Sequence, residues 1–353
     1  GNVLCGNFKG VYGMKKILAG MSGGVDSSAA AVLLKEQGCE VGGCTLKLCG
    51  NDCSEAEAVC KRLGIPHYTI DLEKQFRADV IDRFAEGYIE GGTPNPCIFC
   101  NRYIKFGEML DHALKLGYDG IATGHYAKTE CDERSGRYLL IRPADRKKDQ
   151  TYVLYSMTQF QLAHTLFPLW DRDKEQNRAL AKRYGLPNAG KPDSQDICFV
   201  PDGDYASFIE EYTQKTFPAG DFIDTGGKVI GKHGGMIRYT IGQRKGLGVA
   251  FGKPVYVCGK DVQKNTVTLG DSVDLLTMTA VAEDVNLISL PDISEPIRIT
   301  AKTRYNMADA AGILERAGDS RIMVTFDVPQ RAVTKGQALV IYNGNIVVGG
   351  GKI

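Results

Sequence analysis

The stretch 17–36 constrains the fold more than any other part of the chain. An apolar run, Ile17-Leu18-Ala19, meets Ser22-Gly23-Gly24-Val25-Asp26-Ser27-Ser28 and then a segment rich in alanine and leucine. That order predicts a strand, a tight loop and a helix over 27–37, with Gly38 ending the helix. Such a loop holds backbone N–H groups beside a helix N-terminus, where unpaired donors and the helix dipole attract phosphate. Gly23 and Gly24 let the backbone come close. The stretch therefore predicts a nucleotide site. It is not a Walker A loop, because no lysine follows Gly24, and it holds no G-x-G-x-x-G.

At 353 residues the chain exceeds one ordinary domain, so two or three domains with ample core are expected. Its 43 lysines and arginines stand against 42 acids, so any nucleic-acid surface must be a local patch. No apolar run approaches a membrane span, and residues 1–13 lack the apolar centre of a signal peptide. A cytoplasmic protein with no membrane partner is expected, with 1–13 an extension ahead of Met14. Eleven cysteines, an odd number, argue for reduced thiols, catalysis or a metal rather than a disulfide framework.

Beyond the loop, 40–48 predicts a second apolar strand, 53–63 a helix with Ala56, Val59, Cys60 and Leu63 on one face, and 67–70 a third strand. Cys44, Cys49, Cys53 and Cys60 lack the paired spacing of a zinc site, and packing is the better reading for Cys60. Residues 72–88 look helical, and the breaker run Gly91 to Pro96 follows. Cys97-Ile98-Phe99-Cys100 then opens a helix reaching Gly117. Cysteines three apart share a face of the first turn, where the positive end of the helix dipole lowers a thiol's pKa, so a nucleophile is predicted there.

A strand over 120–123 ends at Gly124-His125. Ligands in doubly wound sheets sit beyond the carboxyl ends of strands, so Gly124 should face the same crevice as Ser22 to Ser28, and His125 is a candidate for substrate contact. A basic stretch (Arg137, Arg142, Arg146, Lys147, Lys148) leads to Asp149-Gln150-Thr151. Helices are predicted over 158–166 and 174–184, then a polar loop over 193–201 carrying Cys198. After a short helix at 205–212 the glycines multiply, as in a module of hairpins. From about Met278 alternating strands, including 297–302 and 322–328, and the turn at Asn343-Gly344 predict a small β-barrel. Arg298, Thr300 and Lys302, leading into Arg304-Tyr305, form one barrel face suited to a phosphate backbone.

Taken in order, S-G-G-V-D-S-S, T-P-N-P-C-I-F-C-N-R-Y-I-K-F, A-T-G-H-Y-A, K-D-Q-T-Y, Q-D-I-C-F and Y-T-I-G-Q-R-K-G-L resemble the tRNA-specific 2-thiouridylase family of PP-loop ATP pyrophosphatases. The resemblance covers nearly the whole chain after Met14. It implies a doubly wound parallel-sheet PP-loop α/β domain over 14–205, a small mixed central domain over 206–275 and an antiparallel C-terminal β-barrel over 276–353. It also implies ATP-dependent replacement of the position-two oxygen of a wobble uridine by sulfur. Carried over by position, Gly20, Met21, Ser22, Gly23, Gly24, Val25, Asp26, Ser27, Leu46 and Gly124 resemble ATP contacts. Cys100 resembles the nucleophile and Cys198 the cysteine that bears a persulfide. Asn95, Pro96 and Cys97 resemble the segment that meets the target base; Lys148, Asp149, Gln150, Arg304 and Tyr305 resemble tRNA contacts, joined by His125 and Gln337.

The implied chemistry is coherent. Adenylation turns a poor carbonyl electrophile into one with AMP as leaving group, and a persulfide sulfur attacks the carbon. Cys100 then resolves the persulfide, leaving a Cys100–Cys198 disulfide for a reductant to open. The base leaves its stack to react, and magnesium on the pyrophosphate is expected. The partners are tRNA and a sulfur donor, either a cysteine desulfurase or a relay protein. One departure stands out: many family members have aspartate where this chain has Cys97. Cys97, Cys100 and Cys198 thereby match a set that other PP-loop RNA thiolases use for a four-iron four-sulfur cluster. The persulfide route is preferred because the flanking residues follow the thiouridylase pattern. ATP-dependent amide synthetases share the loop but need an ammonia source, and an RNA-binding module with a degenerate site ranks last.

Overall fold

The computed structural model describes residues 13–50, 52–191, 197–248, 252 and 254–353. The apolar run becomes β1 (Lys16–Gly20), with Ile17 and Leu18 fully buried, as a strand covered on both faces requires. Then come α1 (Val25–Glu36), β2 (Glu40–Lys47), α2 (Ser54–Leu63) and β3 (His67–Asp71). Gly64 closes α2 in the left-handed region at φ 64°, which a side chain would resist. Next are α3 (Glu73–Phe76), α4 (Arg83–Ile89), α5 (Pro96–Phe99), α6 (Met109–Lys115) and β4 (Gly120–Ala122). A hairpin of β5 (Lys128–Cys131) and β6 (Tyr138–Ile141) precedes α7 (Gln159–Ala163), β7 (Thr165–Leu166), α8 (Lys174–Arg183) and α9 (Tyr205–Thr213).

The first sheet has order β3-β2-β1-β4-β7 with all pairings parallel. Alternate residues of its strands feed two cores. Leu18 and Ile121 pack with Phe76, Phe84, Ile104 and Met109, while Ile17, Ala19 and Ala122 pack with Ala29, Val32, Val59 and Leu180. Helices therefore cover both faces, as the doubly wound reading expected.

Three helices differ from expectation. The runs over 72–88 and 97–117 each contain a π-helical stretch, Arg77–Asp82 and Cys100–Glu108, where one extra residue per turn is accommodated. The helix expected over 158–166 stops at Ala163, because the His164 carbonyl accepts from the Ile121 amide and Thr165-Leu166 completes the sheet edge. Sheet pairing outweighs local helix preference there.

A second, mixed sheet joins β8 (Gly220–Ile223), β9 (Val229–His233), β10 (Tyr256–Asp261) and β11 (Thr266–Gly270) in the order β10-β11-β8-β9, around Phe222, Val257, Val267 and Leu269. The remaining strands are β12 (Leu276–Leu287), β13 (Ile297–Lys302), β14 (Ala310–Arg316), β15 (Ile322–Arg331), β16 (Ala338–Asn343) and β17 (Ile346–Lys352). They run antiparallel in the order β12-β15-β14-β13-β16-β17, and the β12–β17 pairing closes a six-stranded barrel. Closure removes the exposed edges that an open sheet would leave. β17 also pairs with β6 at Ile346↔Ile141, so the hairpin of the first domain extends the barrel's sheet. Among the described residues no helix is long and apolar enough to cross a membrane.

Candidate active site

The loop after β1 is shaped by its small residues. Gly23 takes φ 74°, and the hydroxyls of Ser27 and Ser28 each donate to the Gly24 carbonyl at 3.0 Å. Gly24 is the N-cap of α1 and among the described residues no side chain caps it, so the first-turn amides are left for an anion. Asn188 braces the loop from below, its amide donating at 2.9 Å to the Gly23 carbonyl and to Ser28 Oγ.

Asp26 is held by three residues that sequence reasoning did not single out. Lys174 Nζ lies 2.8 Å from its Oδ2, Tyr126 donates to Oδ1 at 2.9 Å, and Asn177 donates to Oδ1 at 3.3 Å and to the Tyr126 hydroxyl at 3.0 Å. Lys174 and Asn177 sit three apart on one face of α8, next to the loop in space and about 150 residues away in sequence, so no local pattern in the sequence ties them to it. Lys191 and Glu55 form an ion pair beside Gly23.

Gly124, after β4, touches the same loop: a Cβ there would lie 2.7 Å from the Ser27 amide nitrogen and 2.8 Å from the Asp26 carbonyl carbon. Gly124 therefore lies directly against the loop. Gly20 and Met21 lie at the end of β1, with the Met21 carbonyl accepting from Thr45 Oγ1 at 3.0 Å, and Leu46 lies on adjacent β2. Val25 is buried at the start of α1, and Ser22 Oγ lies 3.3 Å from Ser27 Oγ.

The cysteines divide differently from the expectation. Cys44 and Cys60 are core residues whose thiols burial pushes up to about 12 and about 11. Cys97 is exposed at the start of α5, where Asn95 Oδ1 accepts from its amide at 3.0 Å and Pro96 occupies the first helical position. Cys100 lies inward. Burial pushes its thiol up against the opposing charge of Lys105, so the lowering expected from the helix dipole is overturned by desolvation.

Cys198 is exposed but hangs on an anchored neighbour, since Phe199 packs edge-on against Phe76 at 5.8 Å and Phe84 at 5.3 Å. The Cys49 thiol, on the segment after β2, is its near neighbour; their interaction lowers Cys49 and raises Cys198, and Cys97 and Cys100 are near enough to act on Cys198 electrostatically. Cys49, read with the zinc-like group in the sequence, thus belongs with Cys198. Among the described residues no group of three or more His, Cys, Asp or Glu is disposed to bind a metal ion. Residues 192–196 of the polar loop lie outside the described residues.

The other expected contact residues are largely engaged internally. Asp149 pairs with Arg142 and accepts from Thr151; Gln150 Oε1 accepts from the Tyr126 amide at 2.8 Å. Arg304 donates to the carbonyls of Ala332 and Ile241 and to Thr334 Oγ1. Tyr305 is half-buried against Tyr152, and Gln337 Nε2 donates to the Thr93 carbonyl at 2.6 Å. His125 accepts or donates at Thr123 Oγ1 (2.8 Å) and packs between Phe106 and Phe167, where burial keeps the imidazole neutral. Lys148 ends a short 3₁₀ turn beside them, half-buried. The barrel holds the cysteine-bearing segment at both ends: Lys335 and Gln337 bond Thr93, and Asp284 of β12 forms a two-pronged pair with Arg102, two residues past Cys100.

A doubly wound parallel sheet with an uncapped glycine loop at the carboxyl end of β1 defines the PP-loop class of nucleotide-using enzymes. Residues 15–202 match the family model described as the tRNA methyl transferase HUP domain, 206–271 the tRNA methyl transferase PRC-barrel domain, and 278–353 the aminomethyltransferase beta-barrel domain. The chain is 48% identical to the tRNA-specific 2-thiouridylase MnmA of Clostridioides difficile, over 96% of this chain and 98% of that one. It is 49% identical to the enzyme of the same name from Acetivibrio thermocellus, over 96% and 99%. The chain belongs to the tRNA-specific 2-thiouridylase family. Among solved structures, a 4-thiouridine synthetase–RNA complex with bound ATP is similar at 17% identity and TM-score 0.38, over 56% of this chain and 50% of that one, a likeness too low to add to the argument.

Proposed function

We infer that this protein is an ATP-dependent tRNA-uridine 2-sulfurtransferase, and that 14–205, 206–275 and 276–353 are its catalytic, central and barrel domains. The observation that carries the reading is the arrangement at the carboxyl ends of β1 and β2. The uncapped turn of α1 and the segment bearing Cys49, which neighbours Cys198, follow adjacent strands of one sheet. Phosphate chemistry and thiol chemistry thus share a rim.

In this reading the amides of Val25, Asp26 and Ser27 hold the leaving pyrophosphate, while the uridine oxygen attacks the α-phosphate to form an adenylate. Magnesium, when bound, would offset the charge that develops on the pyrophosphate, with Asp26 the nearby carboxylate. The loop 22–28 offers one carboxylate, Asp26, whose oxygens are already engaged by Lys174, Tyr126 and Asn177, so the protein's part is to fix the charge nearby. The terminal sulfur of a Cys198 persulfide attacks the ring carbon and AMP leaves with the oxygen. The Cys100 sulfur attacks Cys198 Sγ, the persulfide bond breaks, and its electron pair stays with the thiolated base. The product disulfide is opened by an external thiol. Cys100, kept as a buried thiol until the base arrives, is protected from premature reaction.

An iron–sulfur centre on Cys97, Cys100 and Cys198 fits less well. The thiol of Cys198 has Cys49 as its neighbour, and the three are not disposed as a ligand group among the described residues. The substrate-side reading is that Asn95, Pro96 and Cys97 border the flipped base. A cysteine desulfurase or relay protein in the cytoplasm supplies the sulfur.

The test is nucleoside mass spectrometry on unmodified tRNA incubated with protein, ATP, magnesium and a sulfur source. Wild type is expected to form 2-thiouridine, and Cys100→Ser and Cys198→Ser to form none. ATP cleavage to AMP without a thiolated base in wild type would sink the acceptor assignment.

A further inference from the structure

In phosphate loops of the Walker type a lysine reaches the outer phosphates, and the loop 22–28 has none. Two lysines come to this loop from distant parts of the chain instead. Lys174 is fixed on Asp26 at 2.8 Å, with its side chain only 14% exposed. Lys191 is held differently: it forms an ion pair with Glu55, and both side chains are close to half exposed. We propose that Lys191 is a phosphate-binding residue, its ammonium held by Glu55 until the pyrophosphate end of ATP takes it over. The proposal rests on the reading of the glycine loop as the ATP site.

The placement puts this ion pair against the loop itself. Glu55 stands in the first turn of α2, where a Cβ built on Gly23 would lie 2.9 Å from its Oε2 and 3.3 Å from its Cβ. Asn188 brings Lys191 to the same point. Its side-chain amide donates to the Gly23 carbonyl and to Ser28 Oγ, and its backbone carbonyl accepts from the Lys191 amide at 3.0 Å, so 188–191 is pinned to the loop. The Lys191 ammonium therefore sits beside Gly23, one residue before the N-cap of α1 and its uncapped first turn.

The electrostatics favour a change of partner. A carboxylate beside a loop that attracts anions repels an incoming phosphate, whereas an ammonium attracts it. Glu55 has its own reason to remain in place, since an acid in the first turn of α2 complements that helix's dipole. An ion pair as exposed as this one adds little to stability, so parting it costs little. The outer phosphates of ATP carry more negative charge than one carboxylate and accept a charge-assisted hydrogen bond from the same ammonium.

The experiment measures the dissociation constants of ATP, inorganic pyrophosphate and AMP for the full-length protein by equilibrium dialysis in magnesium buffer. Lys191→Met is expected to weaken ATP and pyrophosphate about tenfold, the effect of losing one charge-assisted hydrogen bond, and to leave AMP, which lacks the outer phosphates, unchanged. Glu55→Gln is expected to tighten ATP about threefold, because the lysine is no longer held back. Lys191→Arg, which keeps the charge, should recover most of the affinity lost in Lys191→Met. A pair that only braced the fold would shift both single variants in the same direction and weaken AMP along with ATP. Either of those results, or Lys191→Met binding ATP as wild type does, would overturn the proposal while leaving the ATP site standing. Wild type that binds neither ATP nor pyrophosphate would overturn the ATP-site reading and this inference together.

Discussion

Replacing Arg142 by methionine tests how the barrel is fastened to the catalytic domain. Arg142 follows β6, its side chain is 2% exposed, and its guanidinium lies 3.5 Å above the Tyr342 ring of β16. It pairs with Asp309 at 2.6 Å and Asp149 at 3.5 Å, whose side chains are 25% and 6% exposed. Methionine keeps most of the stem packing but removes the cation from two carboxylates. Breaking a buried pair in this way costs about 3–5 kcal/mol, and the lost cation–π contact about 2 kcal/mol at most. Asp149 keeps its bonds from Thr151, and Asp309 keeps Thr300 and some water, which offsets part of the loss. A net loss of about 4 kcal/mol is expected, which for a 353-residue chain, at about 1.4 °C per kcal/mol, lowers Tm by about 5 °C in a calorimetric scan.

The same change reaches the nucleotide loop. Asp149 adjoins Gln150, which holds the Tyr126 amide, and Tyr126 holds Asp26, so the KM for ATP should rise as well. Adding Asp149→Asn to Arg142→Met removes the stranded buried charge and should recover about half of the lost stability. An Arg142→Met protein that loses less than about 1 kcal/mol, or a double variant no better than the single, would refute this account.

Two further outcomes follow from the site. Gly124→Ala would press a methyl group against the backbone at Ser27 and Asp26, which has no flexible end to move; the KM for ATP in a pyrophosphate-release assay should rise about tenfold or more, about 1.4 kcal/mol, and an unchanged KM would contradict the shared crevice. Because burial raises the Cys100 thiol, the folded protein keeps it protonated through the neutral range and its reactive form appears only above the ordinary thiol range; iodoacetamide labelling of Cys100 should therefore be slower at pH 7 than that of free cysteine and climb beyond pH 9, and a rate that levels off below pH 8 would refute the burial argument.

Residues close in sequence were read well. The run Ile17 to Ser28 carries its own fold, because a strand buried on both faces must be apolar throughout and a phosphate-facing turn must be small. The turn at Gly344-Asn345, with Asn343 opposite Ile346, was equally legible. Reading went wrong where tertiary context dominates. The basic stretch 137–148 is legible only as a run of charge, yet Arg142 is a buried tie between domains and Arg137 donates to the carbonyls of Leu287 and Ile288. The helix start at Cys97 suggested an activated Cys100, yet the π-helical turn puts that thiol in the core, where desolvation outweighs the dipole.

By itself, the sequence determined the order of elements, the nucleotide loop and the cysteines available for chemistry, since each depends on residue types within a few positions of one another. Only the tertiary structure decided which distant groups meet. Lys174, Asn177 and Asn188 brace a loop some 150 residues away, the barrel clasps the segment bearing Cys97 and Cys100, and exposed Cys49 neighbours Cys198 while Cys44 and Cys60 are buried in the core. Such pairings depend on sheet order and on which face of a strand or helix is buried, and a side chain's charge state depends on the solvent it loses when the partners close over it.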